Sequence, residues 1–153
     1  MFSKKDFLIL SYLRQNARIT LTNLSKKTRI PISTLFDKLK LHEKRFIIKH
    51  TSLFDFGKLG YNTKANVVLR VDKKQRDALK EYLSRSQHVN SVYRITNGYD
   101  FLVEGVFRSI KEQEEFIEKI EERFDIKDKK SFFVIDDIKR EEFLSKHDLL
   151  PIM

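Results

Sequence analysis

Between Lys26 and Lys40 the chain gathers side chains suited to a polyanion with readable edges. Lys26, Lys27 and Arg29 put two ammoniums and a guanidinium on one short stretch, and these are the groups that neutralise phosphate oxygens. A few residues on, Ser33, Thr34, Phe36, Asp37, Lys38 and Lys40 bring hydroxyls, a ring, a carboxylate and further ammoniums that can reach base edges and phosphates. Ser33 serves equally as a helix N-cap or a base contact, and Phe36 equally as a thymine-methyl contact or a core residue. A solvated charge run is the plain alternative for Lys26, Lys27 and Arg29. Arg18 reads as a donor that holds its own loop. No nucleophile, base and orienting residue stand together and no phosphate-cradling loop is present, so no catalytic residue and no cofactor are expected. His42, His50, His88 and His147 are irregularly spaced and have no thiol partners, so no metal site is expected either. Asp136-Asp137 and Glu141-Glu142 sit among Lys139 and Arg140 and read as an exposed, self-neutralising segment.

The elements that must position these groups are two short helices around a tight corner. The first runs over about Leu21 to Thr28, with Thr20 as a hydroxyl N-cap and Leu24 inward. Pro31 ends it, because proline lacks an amide donor and drives the preceding residue out of helical space, so Arg29 and Ile30 form the corner. The second helix starts at Ile32 or Ser33 and ends near Lys44 or Arg45. Leu35, Leu39 and His42 fall on its inner face, while Ser33, Thr34, Asp37, Lys38 and Lys40 point away. An earlier helix, Lys5 to Gln15, completes a tri-helical core expected to bury Leu10, Leu13, Ile19, Leu21, Leu24, Leu35 and Leu39. A polar, basic helix of this size fits a major groove, so double-stranded DNA is the expected partner.

Charge supports this placement. Residues 1–62 hold thirteen Lys and Arg against four Asp and Glu, whereas residues 63–153 hold eighteen of each, so the whole net charge of +9 lies on the first part. Charge for solubility has no reason to segregate in this way, whereas a polyanion-binding module joined to a neutral one does. With 41% hydrophobic residues over 153 positions the chain can cover a real core. It has no cysteine, which excludes disulfides and thiolate metal sites. No apolar run approaches the length of a membrane span, and the expected location is the cytoplasm.

Downstream, Phe46 to Phe56 is β-branched and aromatic and is expected to form a linker strand, followed by a turn at Gly57 and Gly60. From Thr63 the pattern alternates with period two, Ala65, Val67, Leu69 and Val71 sharing one face of a strand. Asp72 caps a helix over Lys73 to Ser86 with Ala78, Leu79, Tyr82 and Leu83 as its stripe. Strands at Val89 to Thr96 and Phe101 to Phe107 flank a turn at Asn97, Gly98, Tyr99 and Asp100. Ser109 caps a long helix with Ile110, Phe116, Ile117, Ile120 and Phe124 inward, and a last strand follows at about Ser131 to Ile135. The order βαββαβ is that of a ferredoxin-like sandwich with both helices on one face. Val68, Val92, Leu102, Val106 and Phe133 are the candidates for the second face, whose simplest cover is another copy of the chain. The tail from Arg140 to Met153 is expected to pack as a helix and an arm, Phe143, Leu144, Leu149, Leu150 and Ile152 supplying its apolar side. The fold class is therefore α+β: a helix-turn-helix (winged-helix-like) domain over 1–46, a linker strand and turn over 47–62, and a ferredoxin-like domain with its tail over 63–153.

Several stretches in this order resemble the Lrp/AsnC (feast/famine) family of transcription regulators: Asp6 to Leu10, Asn16-Ala17-Arg18-Ile19, Leu24-Ser25-Lys26-Lys27, Leu59-Gly60-Tyr61 and Thr96 to Asp100. The resemblance implies a sequence-specific DNA-binding regulator. It implies a homodimer, or a tetramer or octamer, built on the sheet domains so that two recognition helices face a pseudo-palindromic site. It also implies a small-molecule effector, such as an amino acid, near Asn97, Gly98, Tyr99 and Asp100. Two other readings stand beside it: a tetrapyrrole decarboxylase of haem biosynthesis that shares these two domains, and an effector-free architectural protein that coats DNA.

Overall fold

The structure is a computed structural model that describes residues 2–149, and the chain divides into two compact units. The first comprises the chain up to Leu53 together with the tail from Ile138, and the second runs from Phe54 to Asp137. None of the helices among the described residues is long and apolar enough to cross a membrane.

Three helices build the first unit: α1 (Lys4–Gln15), α2 (Leu21–Thr28) and α3 (Ile32–Arg45). α1 starts on a capping box, the Ser3 hydroxyl accepting from the Asp6 amide while the Asp6 carboxylate accepts from the Ser3 amide. Thr20 caps α2 through its hydroxyl, as its position before Leu21 predicts. Ile9, Leu24, Ile30 and Leu35 are the buried core, and Tyr12, Leu13, Ile19 and Leu21 pack around them. Leu10 and Leu39, expected inside, are only half-buried. α1 is turned so that Ile9 leads, and Ile30 enters from the corner, where its carbonyl accepts the Ser25 hydroxyl at 2.6 Å.

The expected strand over Phe46 to Phe56 is absent: residues 47–55 pair with no strand among the described residues, and Ile48 is 99% exposed. β-branched and aromatic side chains favour an extended backbone, but a strand also needs a neighbour to bond to. The tail differs from expectation too, since residues 138–149 belong to the first unit rather than to the sheet domain. Arg14 donates to the Phe143 carbonyl at 3.0 Å and to the Glu141 carbonyl at 2.6 Å, Gln15 donates to the Ser145 carbonyl, and His147 stacks on Tyr12 at 5.2 Å. Among the described residues only a 3-10 turn, His147–Leu149, stands where the tail helix was expected. Glu141 and Leu144 adopt positive φ, which no helix tolerates. Phe143 is exposed, and Leu150 and Ile152 lie outside the described residues.

The second unit is the expected sandwich. Strands β1 (Thr63–Val71), β2 (Val89–Arg94), β3 (Phe101–Phe107) and β4 (Ile126–Phe133) form one antiparallel sheet in the order β2-β3-β1-β4. Helices α4 (Arg76–Arg85) and α5 (Ile110–Arg123) contribute Leu79, Leu83, Phe116, Ile117 and Ile120 to a core shared with Ala65, Val67, Leu69 and Val103. The helix predicted over Lys73 to Ser86 opens as a 3-10 turn, with the Asp72 carboxylate accepting from Lys74 N–H. Ala78 and Ile110, expected inward, are exposed.

Strand register corrects two residues of the second face. Val92 pairs with Val103, and Phe133 with Ala65, so both lie on the helix side, while Tyr93 and Phe132 join Val68, Leu102 and Val106 on the open side. A bulge between Val89 and Ser91 inserts one residue, so the alternation counted from Val89 changes phase before Val92.

Candidate nucleic-acid interface

The corner between α2 and α3 is held by local hydrogen bonds. Arg29 takes the left-handed conformation with φ 58°, and its amide closes α2 onto the Ser25 carbonyl at 2.8 Å. Thr28 turns its hydroxyl back to the Leu24 carbonyl at 2.7 Å and accepts from the Ile30 amide. This geometry leaves the side chains of Lys26, Lys27 and Arg29 exposed, none in an ion pair among the described residues. Lys27 lies 5.5 Å from the centre of the Tyr12 ring.

α3 opens at Pro31, which makes no side-chain cap bond. Ser33 is therefore inside the helix and is not its cap. Ser33, Thr34, Phe36, Asp37 and Lys40 all face solvent. Phe36 is 47% exposed, which excludes the core reading, and the Lys40 ammonium sits 4.4 Å from its ring centre. Its neighbours Ile32 and Leu41 are exposed as well, giving the helix an apolar as well as a cationic surface.

Lys38 does not point away as the helical pattern predicts. Its ammonium bonds Asp6 of α1 at 2.6 Å and keeps 28% of its side-chain exposure. The same carboxylate oxygen meets His42 Nε2 at 3.1 Å, where His42 is buried beside the paired rings of Phe2 and Phe46 and leaves Nδ1 without a partner. Burial pushes the Asp6 carboxyl up, but hydrogen bonds from Lys38, Ser3 and His42 outweigh it and hold the group well below the usual carboxylate range. One carboxylate on α1 thus fixes the rotation and depth of α3. The reading of outward polar residues missed this brace. The signal available was Asp6 in a Ser3-x-x-Asp6 capping pattern, with a histidine on the inner face of a later helix.

At the other candidate site, Asn97 and Gly98 take φ of 66° and 86° and make the hairpin between β2 and β3. Both are exposed, and the half-buried Tyr99 donates its hydroxyl to Asp128 at 2.8 Å. Asp100 is buried and already committed within the fold. It accepts from the Val71 amide at 2.9 Å, from Arg76 Nε at 3.0 Å and from Arg94 at 2.9 Å. Burial raises its carboxyl, while these three partners pull it lower, and the net shift is downward. Among the described residues no three His, Cys, Asp or Glu side chains cluster as metal ligands.

Two family models match the chain: one described as the Lrp/AsnC ligand binding domain over residues 64–143, and one described as winged helix-turn-helix DNA-binding over residues 2–40. A helix-turn-helix transcriptional regulator of Pyrococcus furiosus is 28% identical over 116 residues, covering 75% of this chain and 78% of that protein. The glutamate uptake regulatory protein of Zymomonas mobilis is 27% identical over 143 residues, 91% of this chain and 87% of its own. Among solved structures, a transcriptional regulator from Neisseria meningitidis in complex with L-Met superposes with a TM-score of 0.84 at 21% identity, covering 92% of this chain and 94% of that one. AsnC of E. coli superposes with a TM-score of 0.80 at 20% identity over 92% and 96%.

Proposed function

Since the chain belongs to the Lrp/AsnC family, we propose that it is a DNA-binding transcription regulator whose reading head is the exposed face of α3 and whose phosphate clamp is the α2 corner. The observation that carries this reading is the cationic surface of the first unit: Lys26, Lys27, Arg29 and Lys40 stand exposed and outside any ion pair among the described residues. Lys26, Lys27 and Arg29 meet phosphates, which anchor the head without reading sequence. Ser33, Thr34, Phe36, Asp37 and Lys40 enter the groove, with the Phe36 ring available to a thymine methyl. Lys38 is set apart from this face, its ammonium paired with Asp6 so that it sets the pose of α3.

A homodimer brings two such heads to one site, and the open face of Val68, Tyr93, Leu102, Val106 and Phe132 is the apolar surface it would cover. An effector at the hairpin would be met by Asn97, Gly98 and Tyr99, with Asp100 bracing the turn rather than touching the ligand.

The test is duplex affinity as a function of salt. Lys27→Gln, Arg29→Gln and Lys40→Gln each lower the slope of log K against log salt by about one unit for a true phosphate contact. Ser33→Ala and Thr34→Ala instead relax sequence preference at fixed salt. Slopes and affinities that match the wild type in all three charge variants would refute the assignment of this face.

A further inference from the structure

Away from the hairpin, the second unit holds an open cleft of about 440 Å³. Phe56 and Tyr61 line it from the segment before β1, Gln87 and His88 from the approach to β2, Arg108 from the end of β3, and Glu112 from the first turn of α5. Since β2 and β3 are antiparallel, the start of one and the end of the other lie at the end of the sheet opposite the Asn97–Asp100 turn.

The polar groups of this cleft are largely unspent. The Arg108 guanidinium lies 5.6 Å from the centre of the Tyr61 ring and makes no side-chain hydrogen bond or ion pair among the described residues. Glu112, the cleft's one carboxylate, accepts the Arg108 backbone N–H with one oxygen and leaves the other uncommitted. His88 stacks on Phe107 at 5.2 Å and meets Phe116 edge-on at 6.0 Å, neither ring nitrogen being hydrogen-bonded among the described residues. Gly105 permits this stack, since a Cβ there would lie 2.6 Å from the Phe107 ring.

A guanidinium resting on an aromatic face with its fork of donors free is built to take a carboxylate in two parallel bonds. Phe56 and Tyr61 supply apolar walls beside it, and the volume is that of a small-ligand site. We infer that this cleft binds a small carboxylate with a bulky apolar body: the carboxylate on Arg108, the body against Phe56 and Tyr61, and Gln87 and His88 giving it direction. An amino acid and its 2-oxo acid share that chemistry, and the free Glu112 oxygen favours the ammonium of the former. The inference goes beyond the DNA reading and does not rest on it.

Calorimetric titration of the full chain with L-phenylalanine, phenylpyruvate and inorganic phosphate tests the site, with duplex binding measured on the same samples so that the two proposals fail separately. L-Phenylalanine is expected to bind most tightly and phosphate most weakly. Arg108→Gln lowers affinity for both organic acids about tenfold or more, and Tyr61→Leu weakens both while leaving phosphate unchanged. The inference is overturned by no heat from either organic acid at millimolar concentration, by phosphate binding as tightly as they do, or by wild-type affinity in Arg108→Gln. Loss of binding in Asn97→Ala with Arg108→Gln unaffected would move the ligand to the hairpin. A change of sedimentation without a change of ligand affinity would make the cleft an interface between copies, and either result also overturns the inference.

Discussion

Asp6 is the residue on which the pose of α3 depends, and replacing it separates bracing from the proposed DNA contact. Its carboxylate accepts four hydrogen bonds: Ser3 N–H at 2.8 Å, the Ser3 hydroxyl at 2.6 Å, Lys38 Nζ at 2.6 Å and His42 Nε2 at 3.1 Å. Asp6→Ala deletes the capping box, at about 1 kcal/mol. It also leaves His42, buried and already short of one partner, with none, at about 1–3 kcal/mol. The partly exposed Lys38 pair contributes about 1 kcal/mol at most. The expected loss is therefore roughly 2–5 kcal/mol, a large part of the ~5–15 kcal/mol that holds an ordinary domain together. Urea unfolding followed by circular dichroism measures it, with Asp6→Asn as the milder variant that keeps the side chain's shape. A double-mutant cycle between Asp6→Asn and Lys38→Met should return a coupling of about 1 kcal/mol, and Lys38→Met should leave the salt slope of duplex binding unchanged while the protein is folded. Strict additivity, or a slope that drops by a full unit with stability untouched, would refute the brace and return Lys38 to the phosphate contacts.

Acid pH probes the same group. The folded carboxyl lies below its unfolded value of about 3.9, so below that value the unfolded chain binds the extra proton. The stabilisation is complete above that pH and is lost as pH falls beneath it, and Asp6→Asn should flatten this acid limb. Asp100→Asn removes a charged acceptor shared by Arg76 and Arg94, and thermal unfolding of the second unit should fall by about 2–3 kcal/mol, with the same acid-side sign because that carboxyl is also lowered. Gly98→Ala meets no atom within 4 Å but holds φ at +86°, so a loss of about 1 kcal/mol is expected from backbone strain alone; a neutral result would mean that the turn relaxes. Arg14→Ala breaks an exposed pair with Glu141 and two carbonyl contacts, and hydrogen exchange of residues 140–146 should rise while global stability changes by less than about 1 kcal/mol.

The helix-turn-helix was legible because its signals are local: Thr20 as a cap, Pro31 as a stop and the spacing of Leu24, Leu35 and His42 each follow from the chain's own neighbours. The first sheet strand was legible for the same reason, since Ala65, Val67, Leu69 and Val71 alternate without interruption, whereas the last strand runs over Ile126–Phe133 and starts five residues before the expected Ser131. What escaped depended on partners distant in sequence. Val92 faces the helices because Asn90 is an extra residue opposite β3, and nothing within β2 announces that insertion. Lys38 turns inward because Asp6, thirty-two residues earlier, is the nearest acceptor. Asp100 was a candidate ligand contact on the strength of the family resemblance, yet Val71 and Arg76, distant in sequence, and Arg94, six residues before it, already occupy it. The linker failed for the opposite reason, since its residues favour a strand and no neighbour is there to pair with them.

The relocation of the tail sharpens the electrostatic argument. Moved to the first unit, residues 138–153 bring three basic side chains, Lys139, Arg140 and Lys146, and three acidic ones, Glu141, Glu142 and Asp148. They leave that unit's net charge at +9, while residues 54–137 hold sixteen basic and sixteen acidic side chains and sum to zero. The charge boundary thus follows the folded units as closely as it follows the sequence. A field confined to one unit acts as a lever: a polyanion attracts the helical unit and exerts no net pull on the sheet unit, so encounter presents the helical unit first. The neutral unit carries no net repulsion against its own copy, which is the condition that the proposed homodimer on the face of Val68, Leu102 and Val106 needs. Placing four lysines on exposed positions of the sheet unit would bring its charge to +4 and destroy that contrast. Non-specific duplex affinity should then rise and self-association weaken at low salt, and both effects should vanish as the salt screens them.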